Sequence, residues 1–509
     1  MYIVGAGPGD PSLISVRGLR CLELADVVVY DHRIPPRMLR LARIDAERID
    51  VGRSAPNPLE QDAISLLLAE KVREGRTVVR LKWGDPFVFD SGGKEALFLH
   101  EQGIAFEVVP GIPVAIGGAA YAGVPVTYPE AGDVLTFVRG HEAETDASPH
   151  VDWAKLAGLR GTIVCYAGAR QIGPIVHALV SHGRPEGESA ALVYDATLPS
   201  QQTVQGTLAE LPQRAKEGRA ALLVIGAVAG LREHLRWFDA RPLFGRRIVV
   251  TRSREQAGEL VEMLEERGAE AIQAPTIRVA PPEDMAALDR ACLEASTFDW
   301  IVFTSANGVD YFMKRLLEVG DVRDLKGVRI CTVGPSTASR VSRYGIRVDL
   351  TPEEYRAESI VQTLTAFDGR LSGVRMLLPR ADIARELLAD ELRAAGADVR
   401  EVAAYRTLLA NAERDADQDI YRMLLDRQID AITFTSASTV RNFVQIFGRE
   451  QAADLLRTTV VASIGPVTAE AAQQLDIATT VMPRRYTIPE LVDALVVHFS
   501  THPGPVAAE

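Results

Sequence analysis

The chain has 509 residues, of which 47% are apolar, and a formal net charge of −12. This length predicts several domains, and the negative charge argues against a general nucleic-acid binder. An anionic small molecule is not excluded, because a few arginines and helix dipoles can outweigh the global field. No apolar run is long enough to cross a membrane, and the chain opens directly on an apolar strand, so we expect a cytoplasmic protein without a membrane partner.

The cysteines and histidines form no metal or disulfide pattern. The nine histidines include no HExxH or comparable pair, and the four cysteines stand alone in apolar or helical contexts. We therefore predict no metal site, and we predict buried thiols at Cys21, Cys165, Cys292 and Cys331.

Apolar, β-rich runs alternate with helical patterns along the whole chain. Such nearly continuous apolar strands predict parallel sheets covered by helices on both faces. In the first half the clearest runs are residues 25–30, 77–81, 161–166 and 222–226. A fresh strand begins at residue 247, after a short Pro- and Gly-containing stretch, which predicts two parts, 1–243 and 244–509.

A glycine-rich turn, Val4–Pro11, follows the first strand, and Asp31 closes the next one. A dinucleotide site is one interpretation of this pattern. Against it, the glycines are spaced GxGxG, and the prolines at positions 8 and 11 would disturb the start of a phosphate-binding helix. The turn alone is weak evidence for or against a dinucleotide site.

The first half, from about residue 2 to 240, resembles the tetrapyrrole methylases, in particular S-adenosylmethionine-dependent uroporphyrinogen-III C-methyltransferase. The resemblance lies in the glycine-rich turn and in segments 80–89, 109–112, 121–127, 166–168, 196–202 and 221–226. It implies two α/β lobes, about 1–128 and 129–243, with S-adenosylmethionine (SAM) folded between them, and it is compatible with a homodimer formed through this half. The cofactor-binding positions it implies are Pro8, Gly84, Asp85, Val88, Ala167 and Ala221.

Several positions depart from the methyltransferase pattern, and they cluster at the expected site. Trp83 replaces a glycine, Ser91 an arginine, and Lys94 a glutamate that is a candidate acid or base. Three interpretations stay open: a working methyltransferase, a methylase of altered substrate, and a degenerate module that is structural or dimerising. The further departures are Pro113, Pro129 and Ala167.

The second half contains a duplicated unit. The segment 303–309 returns as 434–440, and the segment 333–338 returns as 464–469, both after 131 positions. A shared offset over two separate motifs indicates duplication. Segments 248–252 and 376–380 are also similar to each other. This similarity predicts two α/β lobes. One lobe comprises about 244–279 plus 411–500, and the other comprises 280–404.

The repeated motifs place hydroxyl groups where strands end and helices begin. Each Phe-Thr-Ser ends an apolar strand, and each Gly-Pro-x-Thr-Ala opens a helix. Four such turns would present backbone N–H groups and positive helix ends to one cleft, which suits a ligand with many carboxylates. The plainer alternative for each of these hydroxyls is that it only caps a helix, and this alternative stays open here.

The second half, from about residue 242 to 497, resembles uroporphyrinogen-III synthase. The resemblance implies closure of linear hydroxymethylbilane to uroporphyrinogen III with inversion of ring D, and no cofactor. It implies that Tyr405 is the acid; the plainer alternative for this residue is packing between the lobes, and the two roles are compatible. The predicted substrate-binding positions are Thr251, Arg252, Thr304, Ser305, Thr337, Arg380, Ser436 and Thr468.

The two resemblances together predict a fused enzyme of tetrapyrrole biosynthesis acting on small-molecule tetrapyrroles. Its fold class is α/β, a two-lobed methylase fold followed by a two-lobed synthase of parallel sheets flanked by helices. The first half, if active, converts uroporphyrinogen III to precorrin-2. The alternative is a synthase alone, beside a degenerate, structural or altered-specificity methylase domain.

Overall fold

The computed structural model describes residues 1–31, 33–43, 45–52, 58–140, 151–168, 170–352, 357–382, 387–409 and 419–502. The chain divides into two compact units. The first comprises Met1–Arg247, Leu264–Glu270 and Val496–Glu509, and the second Ile248–Met263 and Ala271–Leu495. Among the described residues, none of the helices has the length and apolar character that crossing a bilayer requires.

The first lobe of the first unit is built on a parallel sheet. Its strands are β1 Tyr2–Gly5, β2 Val27–Tyr30, β3 Glu47–Asp50, β4 Val78–Lys82 and β5 Glu107–Val109, in the order β3-β2-β4-β1-β5. The pairings between these strands are parallel, as the apolar runs predict. The helices are α1 Val16–Leu24, α2 Pro36–Leu39, α3 Gln61–Arg73 and α4 Gly92–Glu101.

The second lobe carries a mixed sheet. Its strands are β6 Leu135–Arg139, β7 Thr162–Ala167, β8 Ser189–Tyr194, β9 Gln202–Thr207 and β10 Ala221–Ile225, in the order β6-β7-β10-β8-β9. Its helices are α5 Val114–Tyr121, α6 Trp153–Ala157, α7 Ile172–Ser181, α8 Leu211–Arg214 and α9 Arg232–Leu235. Only β6 and β7 pair in parallel, whereas β10 runs antiparallel to both of its neighbours.

The parallel arrangement is therefore wrong for 222–226, whose strand is antiparallel to both neighbours, and for 161–166 it holds only on the side of β6. These strands are apolar because both faces of the sheet are covered, and burial carries no information about strand direction. The link from β8 to β9 is also too short for the crossover of a dozen or more residues that a parallel pair needs.

The second unit contains two sheets. The strands are β11 Arg247–Val250, β12 Glu270–Gln273, β13 Ile277–Ala280, β14 Trp300–Phe303, β15 Arg329–Thr332, β16 Arg375–Ala381, β17 Asp398–Leu409, β18 Ala431–Phe434 and β19 Val460–Ser463. One sheet has the order β12-β11-β18-β19 and the other β13-β17-β16-β14-β15. Apart from β13, the strands whose pairings are described run parallel, as predicted.

The helices of this part of the chain follow the strands. They are α10 Arg254–Glu266, α11 Met285–Leu293, α12 Ala306–Val319, α13 Pro335–Ser342, α14 Ala357–Asp368, α15 Leu387–Ala394, α16 Ile420–Leu425, α17 Ala437–Phe447, α18 Arg449–Leu456, α19 Pro466–Gln473 and α20 Ile488–Thr501. The four predicted thiols, in both halves of the chain, are buried and free, which confirms that expectation.

The sequence repeat is also a repeat of strand register. Trp300 pairs with Arg329 in one sheet, and Ala431 pairs with Val460 in the other, 131 positions further on. A bridge from Cys331 to Leu350 likewise returns from Ala462 to Val481. The two lobes are thus built on one plan.

The chain changes lobe at slightly different points from those predicted. β13 already belongs to the second sheet, where Ile277 pairs with Leu409 and Ala280 with Arg406 in antiparallel register. Because β13 pairs with the last residues of β17, this lobe includes Tyr405 and extends to the end of β17. The return segment around residue 411 lies outside the described residues.

Three glycines meet at the carboxyl edge of the first sheet. Gly5 ends β1, Gly84 follows β4 with φ +71°, and Gly111 follows β5. A Cβ atom on Gly111 would lie 2.2 Å from the Gly84 carbonyl oxygen and 2.8 Å from Gly5 Cα. Because these are backbone atoms, no side-chain rotation can relieve the clash.

We expect Gly111→Ala to lower the free energy of unfolding of the first unit by about 1–3 kcal/mol, because the loop of Gly111 must move away from the loop of Gly84. Differential scanning calorimetry of the full chain measures this. Gly93→Ala in α4 is the matched control, since its added Cβ meets nothing within 4 Å. An unchanged melting temperature for Gly111→Ala would show that the crossing is not tight.

Candidate functional site

Two adjoining cavities lie in the first unit. The small cavity has a volume of about 360 Å³ and is lined by Pro8, Ala167 and Ala221 among others. The large cavity has a volume of about 1130 Å³ and is lined by Gly84, Asp85 and Val88 among others. The six predicted cofactor positions therefore divide between neighbouring cavities, which share the wall residues Arg33, Trp83, Val114, Tyr166 and Ala220.

The loops around these cavities are held together by their backbones. Gly84 donates its N–H to the Gly7 carbonyl at 2.8 Å, and Gly7 donates to the Gly84 carbonyl at 3.1 Å. The Asp85 carboxylate accepts the N–H groups of Gly111, at 3.0 Å, and Phe87, at 2.9 Å. Asp85 thus fixes the loop that shapes the cavity wall.

Trp83 stands in the wall between the cavities. Its indole N–H donates to the Pro8 carbonyl at 3.0 Å, and the Arg33 guanidinium lies 5.0 Å from its ring centroid. The indole thus hydrogen-bonds the loop of Pro8 at one edge of the small cavity and does not fill the cavity. The ring, which is larger than the glycine it replaces, is therefore accommodated in the wall.

A buried charge network forms part of the large cavity's wall. This network was not predicted from the sequence. Arg80 and Lys82 are each only 1% exposed, and Glu95 is fully buried between them. Glu95 Oε1 lies 3.2 Å from Arg80 Nε and 3.3 Å from Lys82 Nζ. Asp31 pairs with Arg80 at 2.7 Å, and Asp90 with Lys82 at 2.6 Å.

Two signals in the sequence could have revealed this network. Arg80 and Lys82 are two positions apart in a strand and so share one face, and Ser91 and Glu95 are one helical turn apart. Ser91 accepts a bond from Lys82 Nζ at 2.7 Å and donates to Glu95 at 3.4 Å. Burial would raise the pKa of Glu95, but the Arg80 and Lys82 charges outweigh it and lower the pKa.

The repeated motifs of the second unit cap helices as matched pairs. Ser305 and Ser436 are the N-caps of α12 and α17, with φ of −156° and −161°. Ser305 Oγ accepts the Gly308 N–H at 3.0 Å, and Ser436 Oγ accepts the Thr439 N–H at 3.3 Å. Both serines therefore cap helices, and their contact with a substrate stays a prediction.

The other repeated hydroxyls lie in strand-to-helix turns of the same two lobes. Thr304 is half-buried immediately before the Ser305 cap. Thr337 and Thr468 lie in the first turns of α13 and α19, and each is 4% exposed. The motifs thus occupy the carboxyl ends of strands in both lobes.

Tyr405 lies against one of these caps. Its side chain is 8% exposed, and its hydroxyl is 3.1 Å from Ser305 Oγ. Its ring centroid is 5.8 Å from that of Tyr311. Burial raises the pKa of the Tyr405 phenol above its ordinary value, although the Ser305 hydroxyl opposes the shift. The phenol therefore keeps its proton at neutral pH.

Two predicted substrate contacts are occupied within the protein. Thr251 is fully buried, and its hydroxyl donates to the Thr433 carbonyl at 2.7 Å, so it braces β11 against β18 instead of facing the cleft. Arg380 pairs with Glu401 on the adjacent strand at 2.5 Å. Sequence position alone could not reveal these partners, because they come from distant strands.

Arg252 is half-buried at the end of β11, where Nε lies 3.3 Å from the side-chain oxygen of Gln256. Burial lowers the pKa of this guanidinium, and the Glu259 charge opposes the shift. Among the residues that the structure describes, no group of three or more His, Cys, Asp or Glu is arranged to hold a metal.

The chain is similar to known proteins along nearly its whole length. It is 35% identical over 500 residues to the porphyrin biosynthesis protein HemD of Ruminiclostridium josui, covering 97% of each chain. The chain belongs to the family of this HemD protein. A family model described as tetrapyrrole (corrin/porphyrin) methylases matches residues 1–212, and one described as uroporphyrinogen-III synthase HemD matches residues 258–493.

Other relatives match a part of the chain. The uroporphyrinogen-III C-methyltransferase of Bacillus subtilis (strain 168) is 36% identical, over 64% of this chain and 68% of its own length. A sirohaem synthase of Chromobacterium violaceum is 46% identical, over 47% of this chain and 51% of its own length. The protein is thus a fusion enzyme of tetrapyrrole biosynthesis, as the sequence predicts.

We expect Glu95→Gln to lower the free energy of unfolding of the first unit by about 3–5 kcal/mol, because Arg80 and Lys82 would lose a buried counter-charge. Calorimetry against Glu101→Gln, an exposed position on the same helix, measures the difference.

The pH dependence follows from the lowered pKa of Glu95. Its stabilising effect is complete above the ordinary glutamate value of about 4.3 and is lost as pH falls through the lowered value. The gap between wild type and Glu95→Gln should persist at neutral pH and shrink below about pH 4. Equal melting temperatures at pH 7 would rule out a stabilising network.

Proposed function

We propose that the second unit closes hydroxymethylbilane to uroporphyrinogen III and that the first unit methylates this product to precorrin-2 with SAM. The synthase assignment is supported above all by the buried Tyr405 hydroxyl beside the Ser305 cap. The methylase assignment is supported by two open, adjoining cavities lined by the predicted cofactor positions.

In the proposed cyclisation, Tyr405 donates its proton to the departing hydroxyl of hydroxymethylbilane, which leaves as water. The phenol is suited to this because burial raises its pKa and keeps it protonated. Ser305 orients the phenol. The substituted carbon of ring D then attacks the methylene that lost its hydroxyl, which gives a spiro intermediate. The bond from this carbon to the methylene between rings C and D breaks and re-forms at the free carbon of ring D, which releases the proton that restores the phenol, and ring D is thereby inverted. The repeated helix starts offer N–H groups to the substrate carboxylates.

We expect Tyr405→Phe to reduce formation of the type III isomer by about 10²–10⁴-fold, because the proton donor is lost. Stability should fall by only about 0.5–1.5 kcal/mol, the contribution of one hydrogen bond. The measurement is the isomer ratio of the uroporphyrinogen formed from hydroxymethylbilane.

The matched control for this variant is Tyr344→Phe, which also loses one hydroxyl bond, to Asp310 at 3.2 Å. Wild-type isomer ratios from Tyr405→Phe would remove Tyr405 from the chemistry. A loss of activity with a collapsed melting temperature would assign it to packing.

The residues around the small cavity fit a SAM molecule. Its volume of about 360 Å³ lies within the roughly 300–1,000 Å³ usual for small-molecule sites. A Cβ on Gly9 would come within 3.0 Å of Thr197 and Leu198, so glycine keeps this cradle open. When bound there, SAM would supply an electrophilic methyl group. Pro8, Ala167 and Ala221 would hold it, and the large cavity would position the tetrapyrrole carbon.

The degenerate-module alternative predicts a closed or filled site. Trp83, which replaces a glycine of the methyltransferase pattern, lies in the wall and leaves both cavities open. Ser91 joins the buried network and costs the fold no contact. These observations favour an active methylase.

We expect label from S-adenosylmethionine to enter the macrocycle when the full chain is given uroporphyrinogen III, with two methyl groups per product. Cyclisation by the same sample serves as the control for folded protein. Active cyclisation without methyl transfer would support the degenerate or altered-substrate alternatives. A homodimer through the first unit stays a prediction, which light scattering of the full chain would check.

A further inference from the structure

The large cavity of the first unit has a surplus of positive charge. Seven cationic side chains and five carboxylates line it, although the whole protein has a net charge of −12. Such a local reversal of sign attracts anions against the global field. The question is which of these cations face a ligand.

Several charges on this cavity are already satisfied by the protein. Arg80 and Lys82 are buried and paired with Glu95, Asp31 and Asp90. Lys216 bonds the side-chain oxygen of Gln202. These cations hold the wall, so they contribute little to a ligand's binding directly.

Lys94 and Arg139 differ from this group. Both line the cavity and are exposed, and neither has an ion pair with any residue that the structure describes. Lys94 lies in the first turn of α4 in the first lobe, and Arg139 ends β6 in the second lobe. Each lobe thus offers the cavity an exposed cation that has no ion pair with a described residue.

The position of Lys94 is unfavourable for the helix itself. The first turn of a helix carries partial positive charge, so a cation there is repelled. Ser91, one turn earlier, offers no charge and bonds Lys82 and Glu95 in the wall. The Lys94 side chain therefore gains nothing from α4 and is suited to an anion in the cavity.

We propose that Lys94 and Arg139 bind carboxylates on opposite sides of the tetrapyrrole and so select a polycarboxylated macrocycle as the methyl acceptor. This inference rests on the proposed methyl-transfer function. Ammonium and guanidinium groups pair strongly with carboxylates in a partly enclosed site. The cavity volume of about 1130 Å³ is large enough for a ligand well beyond ordinary cofactor size.

The test uses the full chain and the variants Lys94→Gln, Arg139→Gln and the double variant. We expect each single change to raise the KM for uroporphyrinogen III in methyl transfer by about tenfold, with kcat little changed. Lys94→Arg and Arg139→Lys should keep most of the affinity, because they keep the charge. Rising salt should raise the wild-type KM more than that of the double variant.

Two controls separate this effect from damage. Arg20→Gln removes an exposed cation of the first unit that does not line the cavity, and should leave KM unchanged. Cyclisation by the second unit should also be unchanged in every variant. An unaltered KM in the double variant of an active methylase would overturn the inference.

A second measurement keeps the inference testable if the wild type transfers no methyl group, which would refute the proposed function instead. Uroporphyrin III, the stable oxidised macrocycle, is titrated into the full chain while tryptophan emission is followed, since Trp83 lines the cavity. Weaker quenching in the double variant than in wild type and Arg20→Gln would support the two binding positions. Identical titrations would overturn them.

Discussion

The carboxyl edge of parallel strands is the constraint on which both units depend. Strands that run the same way end at one edge, so the turns after them gather there without further design. Pro8 and Gly84 follow neighbouring strands of the first sheet, and Ser305 and Ser436 follow equivalent strands of the two later sheets. The order and direction of the strands therefore decide where the candidate site residues lie, and the individual side chains decide what they can bind.

Duplication of one lobe conserves this edge but not its charge. In one lobe Asp310 pairs with Arg340 at 3.3 Å, whereas the positions 131 residues later are Arg441 and Ala471. Exposed Arg484 and Arg485 likewise stand 131 positions after Glu353 and Glu354. Two lobes built on one plan but with unequal charge suit the proposed linear substrate, since a cleft with identical charge on both sides could not distinguish its two ends.

Local patterns in the sequence predicted what depends on local physics. The serine caps and the buried thiols follow from a few neighbouring residues, the duplicated unit follows from two short repeated motifs, and the structure contains all three. Strand direction in the second lobe was missed because apolar runs report burial alone. The roles of Thr251 and Arg380 were missed because their partners, Thr433 and Glu401, come from other strands.

Helix α4 shows how one segment can keep a buried charge network while the charge of its exposed face changes. Glu95 lies on the inner face and joins the buried network, while Lys94, one residue earlier and about 100° away around the helix, is exposed at the cavity. A charge reversal on the outer face leaves Glu95 and its partners in place. The departures from the methyltransferase pattern at positions 91 and 94 therefore alter what the cavity offers a substrate without removing the structure that forms it.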